Sequence, residues 1–309
     1  MRDATTSAAV DGRAHDLVAP RRAVVWFVAL AFGLSWPLFL APLAFGSPGS
    51  TGHGVVTGIA WSAAMWGPGV AAIVVTRFVL SRPLGALRLN RLGPKRYYLG
   101  AWFIPPLVAA VAGALTLVLG AGQLALSFST LRSALAQTPG AETAPVSLMV
   151  AGQVLAALTL APLLNVPFAL GEELGWRGFL VPALLAARGP GRAVLTSGVI
   201  WGVWHAPAIV QGLNYPGQPV LGVPMMVVFC ALVGAVFSWL YLRTRSPWAP
   251  ALAHGSLNAS AGLPLLALDD VNLVVGGTAA SLIGWLPWAV VVGWLVLSGR
   301  LSVAEDETR

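Results

Sequence analysis

Charge is scarce in this chain. Only 9% of its 309 residues are Asp, Glu, Lys or Arg, against about 25% in a typical soluble domain. With 57% hydrophobic residues and a mean hydropathy of +0.79, that deficit excludes a soluble globular protein and implies a polytopic membrane protein. Cysteine is nearly missing too: Cys230 stands alone in a long apolar run, so no internal disulfide can form. Lysine is reduced to Lys95 among 18 basic residues, the bias of a high-GC bacterial genome. No internal repeat is visible, which leaves an inverted-repeat transporter without support. The isoelectric point of about 10.7 would suggest nucleic acid in a soluble chain. Here the arginines lie between apolar runs, where they set topology, and no nucleic-acid partner is implied.

Those apolar runs are the next feature. A helix needs about 20 apolar residues to cross a bilayer core, and eight such runs occur at about 23–45, 55–80, 97–121, 147–170, 193–210, 220–242, 248–268 and 279–299. The first follows Arg21 and Arg22 but is too long for a signal-peptide core, so it reads as an uncleaved span. With eight spans, 17 of the 18 basic residues fall on one side and only Arg132 on the other. That is the positive-inside pattern, and it predicts that both termini are cytoplasmic. The expected fold class is therefore all-α, a bundle of about eight transmembrane helices. A polar cytoplasmic N-terminus (1–22) precedes the membrane domain (23–300), and a cytoplasmic tail (301–309) follows it. Residues 1–20 and 305–309 read as disordered ends. The expected location is a bacterial plasma membrane, as a multi-pass protein with the lipid bilayer as its surroundings.

Against this apolar background, two adjacent acids stand out in Leu170-Gly171-Glu172-Glu173-Leu174-Gly175-Trp176-Arg177. A carboxylate at bilayer depth costs roughly 2.5–3.5 kcal/mol on insertion scales, so such residues usually face a protein interior and serve function. Residues four apart share a helix face, which pairs Glu173 with Arg177. Glu172 points elsewhere, has no sequence-near cation on its face, and is the candidate working carboxylate. The plainer alternative is that both acids only end the fourth span at the cytoplasmic surface. The apolar run from Phe179 onward argues against it, because it lets the helix slide inward.

Two histidines complete the set. His205 follows Trp201 by one turn, and Pro207 beyond it predicts a kink. His254 and Asn258 share a face at i and i+4. Hydrogen bonding between helices would account for each singly. Together, one carboxylate, two imidazoles and one amide can activate a water and hold an oxyanion, or bind a divalent metal with one position open.

Glu-Glu-x-x-x-Arg at 172–177, an aromatic four residues before His at 201–205, and His-x-x-x-Asn at 254–258 resemble the three signatures of the CAAX-protease and bacteriocin-processing (CPBP, or Abi) family. The type II CAAX prenyl endopeptidases belong to that family. The resemblance covers about residues 147–265, the expected catalytic core. Trp201 stands where the family usually has Phe. The resemblance implies an intramembrane endopeptidase that cuts a membrane-associated peptide or protein near the cytoplasmic side. It implies Glu172 as general base on water with His205 as its partner, and His254 and Asn258 as oxyanion donors. Glu173, Arg177 and Trp201 would support the site. Cofactor use stays open between zinc, held by Glu172, His205 and His254, and a glutamate working unaided. Rival intramembrane protease chemistries are unsupported, because neither a rhomboid-type Gly-x-Ser-Gly nor a presenilin-type Gly-x-Gly-Asp pattern is present, and no His-Glu-x-x-His zinc helix occurs. Two other functions compete: a non-catalytic peptide-binding or immunity protein on the same scaffold, and a proton-coupled transporter using Glu172 and the histidines as a relay.

Overall fold

The computed structural model describes residues 19–46, 50–128, 131–133 and 145–301. The expected disordered ends therefore lie outside the described residues, apart from 19–20. Nearly everything described is helical: α1 (Arg21–Leu40), α2 (Thr51–Ala64), α3 (Gly67–Val74), α4 (Arg96–Val118), α5 (Val146–Leu158), α6 (Leu160–Gly175), α7 (Val181–Arg188), α8 (Pro190–Trp204), α9 (Ala206–Val210), α10 (Pro219–Thr244), α11 (Trp248–Ser260) and α12 (Leu282–Leu297). Two strands of two residues each, β1 (Gln123–Leu124) and β2 (Leu268–Asp269), pair antiparallel across the loops.

Four helical runs among the described residues are long and apolar enough to cross a membrane: Arg21–Ala44, Thr51–Val79, Arg96–Val118 and Pro219–Thr244. A fifth arises if Val146–Leu158 and Leu160–Leu185, bent by 50°, count as one span. The chain is thus an all-helical membrane protein. The expected runs at 193–210 and 248–268 take a different form. The first breaks at His205, two residues before Pro207, which lacks the N–H to continue the ladder. The second stops after 13 residues at Ser260. At 1.5 Å per residue α8 and α11 span only about 20 Å each, short of the ~30 Å hydrocarbon core. The expected last span is also shorter, with 16 residues in α12. Of the two helices that carry the histidines, α11 is mostly buried while α8 exposes Leu195, Val199 and Val203.

The loops gather at two ends. At one end Ser246 Oγ donates to the Arg91 carbonyl (2.6 Å), Trp248 Nε1 to the Leu89 carbonyl (2.8 Å) and Arg243 to the Arg300 carbonyl (3.0 Å). At the other, Trp61 Nε1 and Gln211 Nε2 both donate to the Phe39 carbonyl, and Tyr215 Oη donates to the Ala280 carbonyl (2.8 Å). The β1–β2 pair joins that second end.

Close helix crossings position the site. Lipid tails are as apolar as leucine, so membrane helices associate through packing at small residues. A Cβ added at Gly171, beside the two acids, would lie 2.8 Å from the Met65 carbonyl, so α3 and the end of α2 rest directly on the α6 backbone. One added at Gly198 would lie 2.6 Å from the Ala231 Cα, which brings α8 equally close to α10. After Gly175 the helix widens into a π-turn over Trp176–Leu180, a feature common beside functional sites. Trp176 and Phe179 from this turn pack on Phe27 of α1, and Trp176 also meets Trp204 edge-on.

Candidate active site

Glu172 and Glu173 occupy the last turn of α6, which packs most extensively on α11 and is also covered by α3. Both are buried. Adjacent positions on a helix point about 100° apart, so the two carboxylates enter different surroundings.

Glu173 is committed to structure. Its Oε1 accepts from Arg177 Nη1 at 2.9 Å, the i,i+4 pairing expected from spacing, and also from His254 Nδ1 at 2.9 Å. The second bond spans 81 residues, and spacing carries no sign of it. Arg177 lies over the Trp201 ring at 4.3 Å and the Phe237 ring at 5.3 Å. Its charge is thus held by one carboxylate and two ring faces.

Glu172 turns the other way. Its Oε2 accepts from Trp201 Nε1 at 2.6 Å, while its Oε1 faces His254 Nε2 at 4.0 Å. Trp201, expected only to support the site, is a direct donor to the candidate base. It also orients His205, whose Nδ1 donates to the Trp201 carbonyl at 2.8 Å. A carbonyl can only accept, so this bond places the imidazole proton on Nδ1 and leaves Nε2 as the accepting nitrogen. The Cys230 sulfur lies 3.8 Å from the same Nδ1. Trp204 closes on His205 edge-to-face, with ring centroids 4.8 Å apart.

Glu172, Trp201, His205, His254 and Asn258 all line one cavity of about 480 Å³. The structure therefore gathers the four candidate catalytic residues from α6, the α8–α9 break and α11 around a shared space. Glu173 and Arg177 sit behind its wall. The rest of the lining escaped the sequence reading. Phe39, Trp61, Phe229 and Asn214 come from α1, α2, α10 and the loop after α9. None belongs to a motif, and of the three tryptophans in the lining only Trp201 was marked by its spacing to His205, while Trp61 and Trp204 were not.

Zinc was one of the two cofactor expectations. Among the described residues no group of three or more His, Cys, Asp or Glu side chains is gathered so as to hold a metal ion. His254 Nδ1 is turned to Glu173 and His205 Nδ1 to a carbonyl, and these bonds leave the Nε2 of each ring as its remaining nitrogen. As arranged, Glu172, His205 and His254 do not converge as a ligand set.

Residues 149–260 match the family model of the type II CAAX prenyl endopeptidases, described as Rce1-like. The matched segment runs from α5 to the end of α11 and includes every candidate residue named above. No curated protein matches the chain.

Proposed function

From the premise that residues 149–260 place this protein in the CAAX-protease (CPBP) family, we propose that it is an intramembrane endopeptidase whose working base is Glu172. Its substrate is a peptide bond in a membrane-associated protein or peptide. One observation carries the reading. Of two adjacent buried acids, Glu173 is held through Oε1 by Arg177 and His254 and lies outside the cavity lining, while Glu172 keeps one oxygen toward a cavity that it shares with both histidines.

The chemistry follows from those positions. At 4.0 Å, Glu172 Oε1 and His254 Nε2 are too far apart for a direct hydrogen bond, and a water between them is within reach of both. Glu172 takes a proton from that water as its oxygen attacks the scissile carbonyl carbon. The carbonyl π electrons move to oxygen, and the oxyanion accepts hydrogen bonds from Asn258 and from Nε2–H of His254 in its imidazolium form, whose Nδ1–H stays on Glu173. Collapse of the tetrahedral intermediate breaks the C–N bond, and the proton held on Glu172 passes to the leaving amine. Trp201 fixes the base, and its carbonyl fixes the His205 ring. The test is cleavage in proteoliposomes, read as new termini by mass spectrometry. Peptide binding without any Glu172-dependent product would replace the peptidase with a binding or immunity protein.

The oxyanion role predicts a graded defect at Asn258. Loss of one such donor typically costs about 10²–10³ in turnover. Asn258→Ala is expected to retain trace activity measurable in single-turnover assays, with His205→Ala leaving less. Equal and total loss in both, with poor folding, would mean that Asn258 only ties helices together.

Metal dependence gives a second prediction. The unaided mechanism is supported by the spacing of the candidate ligands, which among the described residues are not gathered as a metal-binding group. Enzyme purified metal-free, as verified by elemental analysis, is expected to cut at full rate and to be indifferent to chelator. One equivalent of zinc that is required for turnover and lost on His205→Ala or His254→Ala would overturn this.

A further inference from the structure

The cavity has a floor and a mouth, and they differ in exposure. Glu172, Trp201, His205 and His254 are buried at the floor, whereas Gly58, Asn214, Asn258 and Gly262 are exposed along the same lining. Gly58 lies at the middle of α2, Asn214 in the loop between α9 and α10, and Gly262 just past the end of α11. These segments belong to the end of the bundle where Trp61 and Gln211 meet the Phe39 carbonyl and Tyr215 meets Ala280. The basic loops lie at the opposite end, where Arg91, Arg243, Ser246 and Arg300 come together.

Along α11 depth agrees with exposure: counted at 1.5 Å per residue from the basic end, the buried His254 lies roughly 9 Å in and the exposed Asn258 roughly 15 Å in. Basic loops mark the cytoplasmic side of a membrane protein. The mouth is then on the other side.

We propose that, given the peptidase reading above, the site is entered from the extracytoplasmic face. Its substrate is an uncharged apolar peptide segment already exported or lying in the outer leaflet. The wall chemistry fits such a chain. Apart from Glu172 and the two histidines, the lining holds no ionisable side chain, and its upper part combines Phe39, Trp61, Leu213 and Leu257 with the polar Thr57 and Asn214. Mostly apolar walls with a few placed polar groups bind apolar ligands and orient their backbone. Access from this side reverses the cytoplasmic cleavage that family resemblance alone implies.

Cysteine labelling in intact cells tests the orientation. Gly262→Cys is the main probe, because an added Cβ there meets nothing within 4 Å and the backbone φ of −99° suits any residue. Asn214→Cys is the second, and Arg91→Cys marks the basic end. Native Cys230 is fully buried and serves as the unlabelled background. A membrane-impermeant maleimide is expected to label Gly262→Cys and Asn214→Cys in intact cells at least tenfold more than Arg91→Cys, which should react only after permeabilisation. External labelling of Gly262→Cys should also abolish the Glu172-dependent peptides in the membrane peptidome. Labelling of both mouth positions only after permeabilisation overturns the proposal, as does external labelling that leaves those peptides undiminished. Absence of such peptides even in the unlabelled enzyme would instead refute the peptidase reading, and the labelling pattern would still decide the face.

Discussion

Glu172→Gln is expected to abolish cleavage while the protein folds and binds peptide normally. Glutamine keeps the shape of the side chain and can still accept from Trp201 Nε1, now 2.6 Å from Glu172 Oε2. The helix end and its crossing at Gly171 should therefore be undisturbed. What disappears is the ability to take a proton from water. General base catalysis contributes about 10²–10⁴-fold, and here the same group also returns the proton to the leaving amine. The loss should therefore reach the upper end of that range. Single-turnover cleavage in proteoliposomes measures it, with thermal unfolding in detergent as the folding control. A Glu172→Gln enzyme that cuts at wild-type rate, beside a well-folded but inactive Glu173→Gln, would reverse the roles of the two acids.

Glu173→Gln should fail differently. Glu173 neutralises Arg177 and holds His254 through one oxygen, in a place from which solvent is excluded. Removing one partner of a buried ion pair leaves an uncompensated charge and costs about 3–5 kcal/mol. The expected result is a large drop in thermal stability, with activity falling in parallel because a neutral amide oxygen holds His254 less tightly than the carboxylate. The double variant Glu173→Gln/Arg177→Met removes the stranded guanidinium, so it should regain part of the stability. It should not regain activity, because the carboxylate charge that held His254 is still missing. Additive losses in this cycle would mean that the pair is not coupled, and that Arg177 is held mainly by the Trp201 and Phe237 rings.

Much of the chemistry was legible along the chain. Composition required a membrane bundle, because a chain with so few charges cannot be solvated as a globule. Local periodicity paired Glu173 with Arg177 and put His254 and Asn258 on one face, since 3.6 residues per turn is a property of the backbone alone. Pro207 announced the break at His205 for an equally local reason, its missing N–H.

Contacts between distant segments were decided only in three dimensions. Trp201 reaches Glu172 across 29 residues and His254 reaches Glu173 across 81. The His254 pairing depends on how closely α11 approaches α6, where a Cβ added at Gly255 would lie 2.5 Å from the Pro162 carbonyl, and the Trp201 pairing on how α8 is held against α10 at Gly198. Hydropathy likewise marked apolar runs at 193–210 and 248–268, yet could not tell a spanning helix from a short buried one. Lipid and protein interior are equally apolar to a sliding window. Sequence by itself determined which residue types carry the chemistry and the local faces they share. Tertiary packing decided which acid meets the cavity, which histidine anchors the other acid, and at which end of the bundle the cavity opens, because each depends on helix crossings that no local period encodes.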